Sequence, residues 1–242
     1  MDKRQNLELI ADISNANGAP GFEDDVVAQI RRHAEGLGEL REDSLRNLYI
    51  YRKENKGNRP VVQLDGHSDE VAFMVQAIRP DGNLRIIPLG GWVTSNVPAH
   101  KVWVRNALGE YIPGIVASKP PHYMTEAERK APLVFENITV DVGAVSKEEA
   151  ENEFHVRIGE PVVPDVTFTY DEKHDLMVGK SFDCRLGCAS IVSTLRELQG
   201  EELAVDVVGA CCSQEEVGTR GSQVTCRTVN PDIAIVFEGC PA

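Results

Sequence analysis

Three apolar runs in this chain each stop abruptly at side chains suited to binding a cation or moving a proton. That repetition constrains the fold more than any single motif. Val61–Gly66 leads into His67-Ser68-Asp69-Glu70, Leu203–Cys212 into Ser213-Gln214-Glu215-Glu216, and Ile233–Phe237 into Glu238. Nearly continuous apolar runs suit parallel strands covered on both faces, and Ile233–Phe237 reads as a central strand. If the three runs are parallel, their ends meet on one carboxyl edge, where ligand and catalytic sites of open α/β sheets collect.

The texture around these runs predicts two kinds of structure. Leu7, Ile10 and Ala11 recur at helical spacing, and Gly18-Ala19-Pro20-Gly21 ends that pattern. Phe22, Val26, Val27, Ile30 and Ala34 mark one face of a second helix. Its start carries Glu23, Asp24 and Asp25 and its later part Arg31 and Arg32, an order that suits the helix dipole. Between about residues 73 and 163 the pattern changes to short strands. Pro80-Asp81-Gly82 separates Val71–Ile78 from Leu84–Ile87, and Asn106-Ala107-Leu108-Gly109 separates Val102–Val104 from Tyr111–Val116. Glu148–Glu153 offers a helical turn or two. Helical spacing returns at Gly187–Leu198, with Ile191, Val192, Leu195 and Leu198 on the apolar face. The expected fold class is α/β: a mixed, largely parallel sheet flanked by helices, built from residues 1–72 and 164–242. A β-rich domain, 73–163, is inserted in it.

Composition removes some partners. With 25 Lys and Arg against 38 Asp and Glu, the formal charge is −13, which opposes binding to nucleic acid or to anionic lipid. No apolar run reaches the length of a membrane-spanning helix. Met1–Asn6 lacks the apolar region of a signal peptide, so a cytoplasmic protein is expected. The cysteines, Cys184, Cys188, Cys211, Cys212, Cys226 and Cys240, form no C-x-x-C pair and read as reduced thiols in or near a core.

The ligand-type residues define the chemistry. His67 and Asp69 stand two apart, so an extended backbone turns both side chains to one face, and a carboxylate beside an imidazole fixes its tautomer for metal binding. Asp183, just before a helix, reads either as an N-cap or as a carboxylate able to bridge two cations. The neighbouring Glu215 and Glu216 repel each other unless a cation or solvent lies between them. One of such a pair can bind metal while the other takes a proton from water. A cysteine nucleophile at Cys211 or Cys212 is the weaker reading, since thiols in apolar runs usually pack. There is no G-x-S-x-G elbow and no phosphate-binding glycine loop. His100, His122, His155 and His174 read as loop residues and His33 as helix surface.

Asp65-Gly66-His67-Ser68-Asp69-Glu70-Val71, Lys180-Ser181-Phe182-Asp183-Cys184-Arg185-Leu186-Gly187-Cys188 and Gln214-Glu215-Glu216-Val217-Gly218-Thr219-Arg220-Gly221 occur in that order, with Gly159–Asp165 near the end of the insert. Together they resemble the tetrahedral metallo-aminopeptidases, a family that includes glutamyl and deblocking aminopeptidases and some members labelled as cellulases. The resemblance implies two divalent ions (zinc, cobalt or manganese), peptide substrates, and hydrolysis of amino-terminal residues. It implies that His67 and Glu238 bind one metal, that Asp183 bridges both, and that Glu216 binds the second. Glu215 would be the general base, with Asp69 supporting the catalytic site. The insert would be a barrel-like dimerisation domain, and dimers of the family commonly assemble into twelve-subunit tetrahedra.

This chain departs from the family in several places. Cys184 stands where relatives usually carry Asp or Asn, and Glu238 where they carry Asp. In related enzymes the peptide bond after the bridging aspartate is cis. The family's remaining histidine ligand lies beyond position 242, so the chain is expected to be shortened at its C-terminus, with the second metal site weakly held or empty and turnover impaired. A related metal-dependent carboxypeptidase or deacylase, or an inactive fragment serving as an assembly subunit, are the competing expectations.

Overall fold

The computed structural model describes residues 2–239, so the expectation for Cys240 lies outside the described residues. The described chain falls into two compact units: one contains the residues up to Glu70 and from Val166 on, the other is Val71–Asp165.

In the first unit the chain runs α1 (Lys3–Asn15), α2 (Asp24–Ala34), β1 (Gly38–Glu42), β2 (Leu48–Arg52) and β3 (Val61–His67). A capping box at Asp2 starts α1: its carboxylate accepts the Gln5 amide, and the Gln5 side chain returns to the Asp2 amide. The face that α1 buries is Leu9 and Ile13. Leu7, Ile10 and Ala11, the expected face, are half-buried. The two faces lie on neighbouring stripes of one helix, and packing against other elements selects between them. The face of α2 is as expected: Val26, Val27, Ile30 and Ala34 are buried.

The second unit is a closed six-stranded antiparallel barrel. It is formed by β4 (Ala72–Ile78), β5 (Leu84–Leu89), β6 (Lys101–Arg105), β7 (Tyr111–Ser118), β8 (Ile138–Asp141) and β9 (Pro161–Pro164), in the order β4-β5-β8-β7-β6-β9. Closure removes the free sheet edges. The interior is apolar, with Phe73, Val75, Leu84, Ile86, Val104, Ile138, Val140 and Val162 packed together. Gly82, at φ +83°, makes the predicted β4–β5 turn with a backbone conformation L side chains rarely adopt. Two short helices, α3 (Glu126–Lys130) and α4 (Lys147–Asn152), belong to the same unit.

The chain then returns to the first unit through the hairpin β10 (Thr169–Asp171) and β11 (Leu176–Val178). It continues as α5 (Phe182–Glu197), β12 (Asp206–Cys212), α6 (Arg220–Val229) and β13 (Ile233–Val236). The sheet is mixed, with order β1-β2-β12-β3-β13: the β12–β3 and β3–β13 pairings are parallel, the other two antiparallel. The three strands that carry ligand-type residues are therefore adjacent and parallel. One core joins Leu9, Ile13, Val26, Ile30, Ile191, Val192 and Leu195 from the helices to Leu48, Ile50, Leu64 and Val207 from the sheet. The expected central strand, β13, is an edge strand of the described sheet. Among the described residues it pairs only with β3, and Ile233, Ile235 and Val236 are exposed. No helix among the described residues is long and apolar enough to cross a membrane.

Candidate metal centre

Register brings the strand ends level. Cys212 lies opposite His67 and Val236 opposite Asp65. The Ser68 amide donates to the Cys212 carbonyl at 2.7 Å and the Phe237 amide to the Asp65 carbonyl at 2.8 Å. The chain thus leaves β3, β12 and β13 at one edge, carrying His67, Glu215 and Glu238. Asp183 arrives from the start of α5, where the backbone comes very close to β3. A Cβ on Gly66 would lie 3.2 Å from the Gly187 carbonyl carbon, a tight contact that glycine avoids. The Asp183–Cys184 bond is cis. Asp183 itself lies inside α5 with non-helical angles, and Ser181 is the N-cap.

His67 is the buried pivot. One ring nitrogen, Nε2, is 3.1 Å from Asp183 Oδ1, 3.8 Å from Glu238 Oε1 and 3.9 Å from Glu215 Oε2. The other, Nδ1, is 3.2 Å from the Asp69 carbonyl and 3.4 Å from its Oδ1. Burial disfavours the imidazolium, but the hydrogen bond and charge of Asp69, helped by Asp183, outweigh it and raise the His67 pKa to about 10. Glu238 is pushed above its ordinary range by burial, then by its hydrogen bond with Asp183. Burial likewise pushes Glu216 up to about 7; His67 opposes the shift, while the charges of Asp69, Glu215 and Asp183 add to it. A cation among these oxygens would relieve the same repulsion.

Asp69, completely buried, has a structural task the sequence did not reveal. Its two carboxylate oxygens accept the Glu215 and Glu216 amides at 3.0 and 3.1 Å. The two amides before these are held as well: Ser213 N donates to Asn47 Oδ1 at 2.9 Å, and Gln214 N to Glu23 Oε1 at 3.1 Å. Four consecutive N–H groups thus end on three buried side chains. Gln214 sits in the left-handed region, at φ 52°, a conformation such a fixed turn can hold. Burial pushes the Glu23 carboxyl up to about 7, against the pull of its Gly21 hydrogen bond and with Asp69 adding to the rise.

A second buried group braces the same edge. Glu70 accepts Gly18 N at 3.0 Å, Lys180 Nζ at 3.0 Å, Arg185 Nη2 at 3.1 Å and Ser181 Oγ at 2.7 Å. Arg185 also donates to the carbonyls of Ser68 at 2.9 Å and Ala16 at 2.5 Å. Burial alone would raise the Glu70 pKa, but Arg185 and Lys180 hold it below the usual carboxylate range. The network ties the segment after α1 to the residues following His67 and to those flanking Asp183.

Of the residues singled out by sequence, His67, Asp183 and Glu238 lie together with Cys184. One donor atom from each of the four lies within 4.8 Å of the others. Glu215 stands at the rim of this group. Glu216 is outside it, although its charge is felt by the same side chains. Cys184, Glu23 and the Glu70–Lys180–Arg185 network were missed. The network's members flank the motifs in sequence, whereas Glu23 carried only the signal of an acidic helix start. The donor set, one imidazole with carboxylates and a thiol, fits a divalent transition metal. A cavity of about 250 Å³ adjoins it, lined by Asp65, His67, Glu215, Val236, Phe237 and Glu238 among others. A larger open cleft, about 640 Å³, lies by Arg32, His33 and Arg196 and holds no such convergent set.

The fold is α/β, and this edge gathers side chains able to hold a divalent cation. A sequence profile of the M42 glutamyl aminopeptidase family matches residues 47–242, and the chain belongs to that family. It is 36% identical over 234 residues to a protein of Escherichia coli (strain K12) named "Putative aminopeptidase FrvX", covering 96% of this chain and 64% of that one. To the lysyl aminopeptidase of Pyrococcus furiosus it is 31% identical, covering 96% of this chain and 65% of the relative. The crystal structure of a TET aminopeptidase from the marine sediment archaeon Thaumarchaeota archaeon SCGC AB-539-E09 superposes with a TM-score of 0.93 at 37% identity. That match covers 98% of this chain and 67% of the archaeal one. The chain thus spans about two thirds of the length of the relatives it matches.

Proposed function

We propose that this chain carries a metal-dependent aminopeptidase centre that releases amino-terminal residues from peptides, with Glu215 as general base. The observation that carries the reading is the convergence of three parallel strand ends and Asp183 around His67 Nε2. His67, Asp183 and Glu238 would hold one divalent ion, and Asp183 with Glu216 would contribute to a second. Zinc, cobalt and manganese all suit nitrogen and carboxylate ligands. Such ions, when bound, supply Lewis acidity that makes a water acidic and polarises a carbonyl.

The chain's own residues do the rest. Glu215 accepts the proton of the attacking water as its oxygen bonds to the scissile carbonyl carbon. The C–N bond then breaks, and Glu215 returns the proton to the leaving amine. Asp69, Asn47 and Glu23 keep the Glu215 backbone fixed through the amides of residues 213–216, so little reorganisation accompanies the transfer. The surrounding carboxylates favour a substrate that presents a free ammonium group. The Val71–Asp165 unit would serve dimerisation, with the family's twelve-subunit assembly built from such dimers; native mass spectrometry reads that size directly. Free thiols at Cys184, Cys188, Cys211, Cys212 and Cys226 suit a reducing cytoplasm.

A peptide panel tests the reading. Free amino termini should be cleaved and acetylated ones spared, and Glu215→Gln should lower turnover by about 10²–10⁴-fold with metal content unchanged. Cleavage of blocked peptides, or an undiminished rate in the variant, would sink it.

A further inference from the structure

We propose that Cys184 is a metal ligand, its sulfur completing a His67–Asp183–Glu238 site and turning an oxygen-and-nitrogen centre into one with a thiolate donor. The inference rests on the reading of this edge as a metal centre and goes beyond it. The Cys184 sulfur, one ring nitrogen of His67 and one carboxylate oxygen from each of Asp183 and Glu238 all lie within 4.8 Å of one another. In a zinc site with bonds of about 2.0–2.3 Å, neighbouring donors stand roughly 3.3–3.8 Å apart, so modest side-chain movement brings the four onto one ion, with a fifth position left for water. The sulfur has a built seat. A Cβ at position 187 would lie 2.5 Å from Cys184 Sγ and 3.0 Å from Phe237 Cβ, so only the glycine there leaves it room.

Cys184 is buried, and its thiol donates to the Phe237 carbonyl at 2.9 Å, on the residue next to Glu238. On ligation that hydrogen bond breaks, a sulfur–metal bond forms, and the thiol proton leaves to solvent. A thiolate is a softer donor than the carboxylates around it, so it shifts the preference of the site toward zinc or cobalt and away from manganese.

Cobalt(II) added to the purified chain under reducing conditions tests this without any need for turnover. Visible d–d bands report that the ion is bound, and a near-ultraviolet thiolate-to-cobalt charge-transfer band reports sulfur on it. Both bands should appear. Cys184→Ser and Cys184→Asp should each lose the charge-transfer band while keeping the d–d bands, and Cys226→Ser, which removes an exposed thiol, should keep both. A d–d spectrum with no charge-transfer band in the unmodified chain, or a band that survives in the Cys184 variants, overturns the ligand assignment and leaves the metal centre standing. No cobalt spectrum at all overturns both.

Discussion

The two compact units fill their interiors with different chemistry. Among the described residues of the barrel, Asn106 is the only buried polar side chain. The sheet unit buries Glu23, Arg52, Asp65, His67, Asp69, Glu70, Lys180, Arg185 and Asp206 along with several neutral polar groups. An apolar interior is stabilised by every side chain it encloses. Buried charges cost desolvation that their partners only partly offset, and here all but Arg52 and Asp206 gather around one sheet edge. The barrel interior therefore reads as stability, and that of the sheet unit as stability given up to hold His67, Asp183 and Glu215 in a fixed relation.

The contrast can be broken by single substitutions. The largest effect should come from Arg185→Met, which leaves Glu70 with Lys180 as its only charged partner and frees the Ser68 and Ala16 carbonyls. A loss of roughly 3–5 kcal/mol in urea unfolding is expected; a change under 1 kcal/mol would show that the network carries no such burden. Within the barrel, Ile138→Val should cost only about 0.5–1.5 kcal/mol, the ordinary effect of removing a buried methyl group. A cost near that of Arg185→Met would erase the distinction.

Acidity gives a signed effect. The Glu23 carboxyl is raised to about 7 from an ordinary value of 4.5. The folded chain thus holds this proton where the unfolded chain has released it. Its contribution to stability is complete below about 4.5 and is lost as pH rises through about 7. Metal-free protein should show this decline in its unfolding midpoint, and Glu23→Gln should make it shallower, leaving the share that Glu216, raised to the same value, contributes. An equal slope in the variant would assign the decline to other groups.

Much of the arrangement was legible from the order of residues. The abrupt change from apolar run to ligand-type side chain located the ends of β3, β12 and β13, because a strand covered on both faces has few other places for charge. Strands β1 and β2 escaped notice because Leu48–Arg52 shows no alternation: Leu48, Tyr49, Ile50 and Arg52 are all buried. The exposure of β13 depends on how many neighbours a strand acquires, which its own residues do not state. Glu23 looked like part of an acidic helix start, yet its carboxylate turns inward to Gly21 and Gln214. That contact joins positions 191 residues apart, beyond the reach of local spacing. Cys184 read as a packing thiol because its nearness to His67 and Glu238 depends on how the chain enters α5.

The proposed metal site joins three parallel strand ends and the start of α5 around His67. Zinc titration by calorimetry of the metal-free chain and of His67→Ala tests it most directly. Saturable binding is expected in the unmodified chain, and its loss at the same site in His67→Ala, with both proteins folded by circular dichroism. Equal zinc binding by the two, or no saturable binding by either, would contradict it.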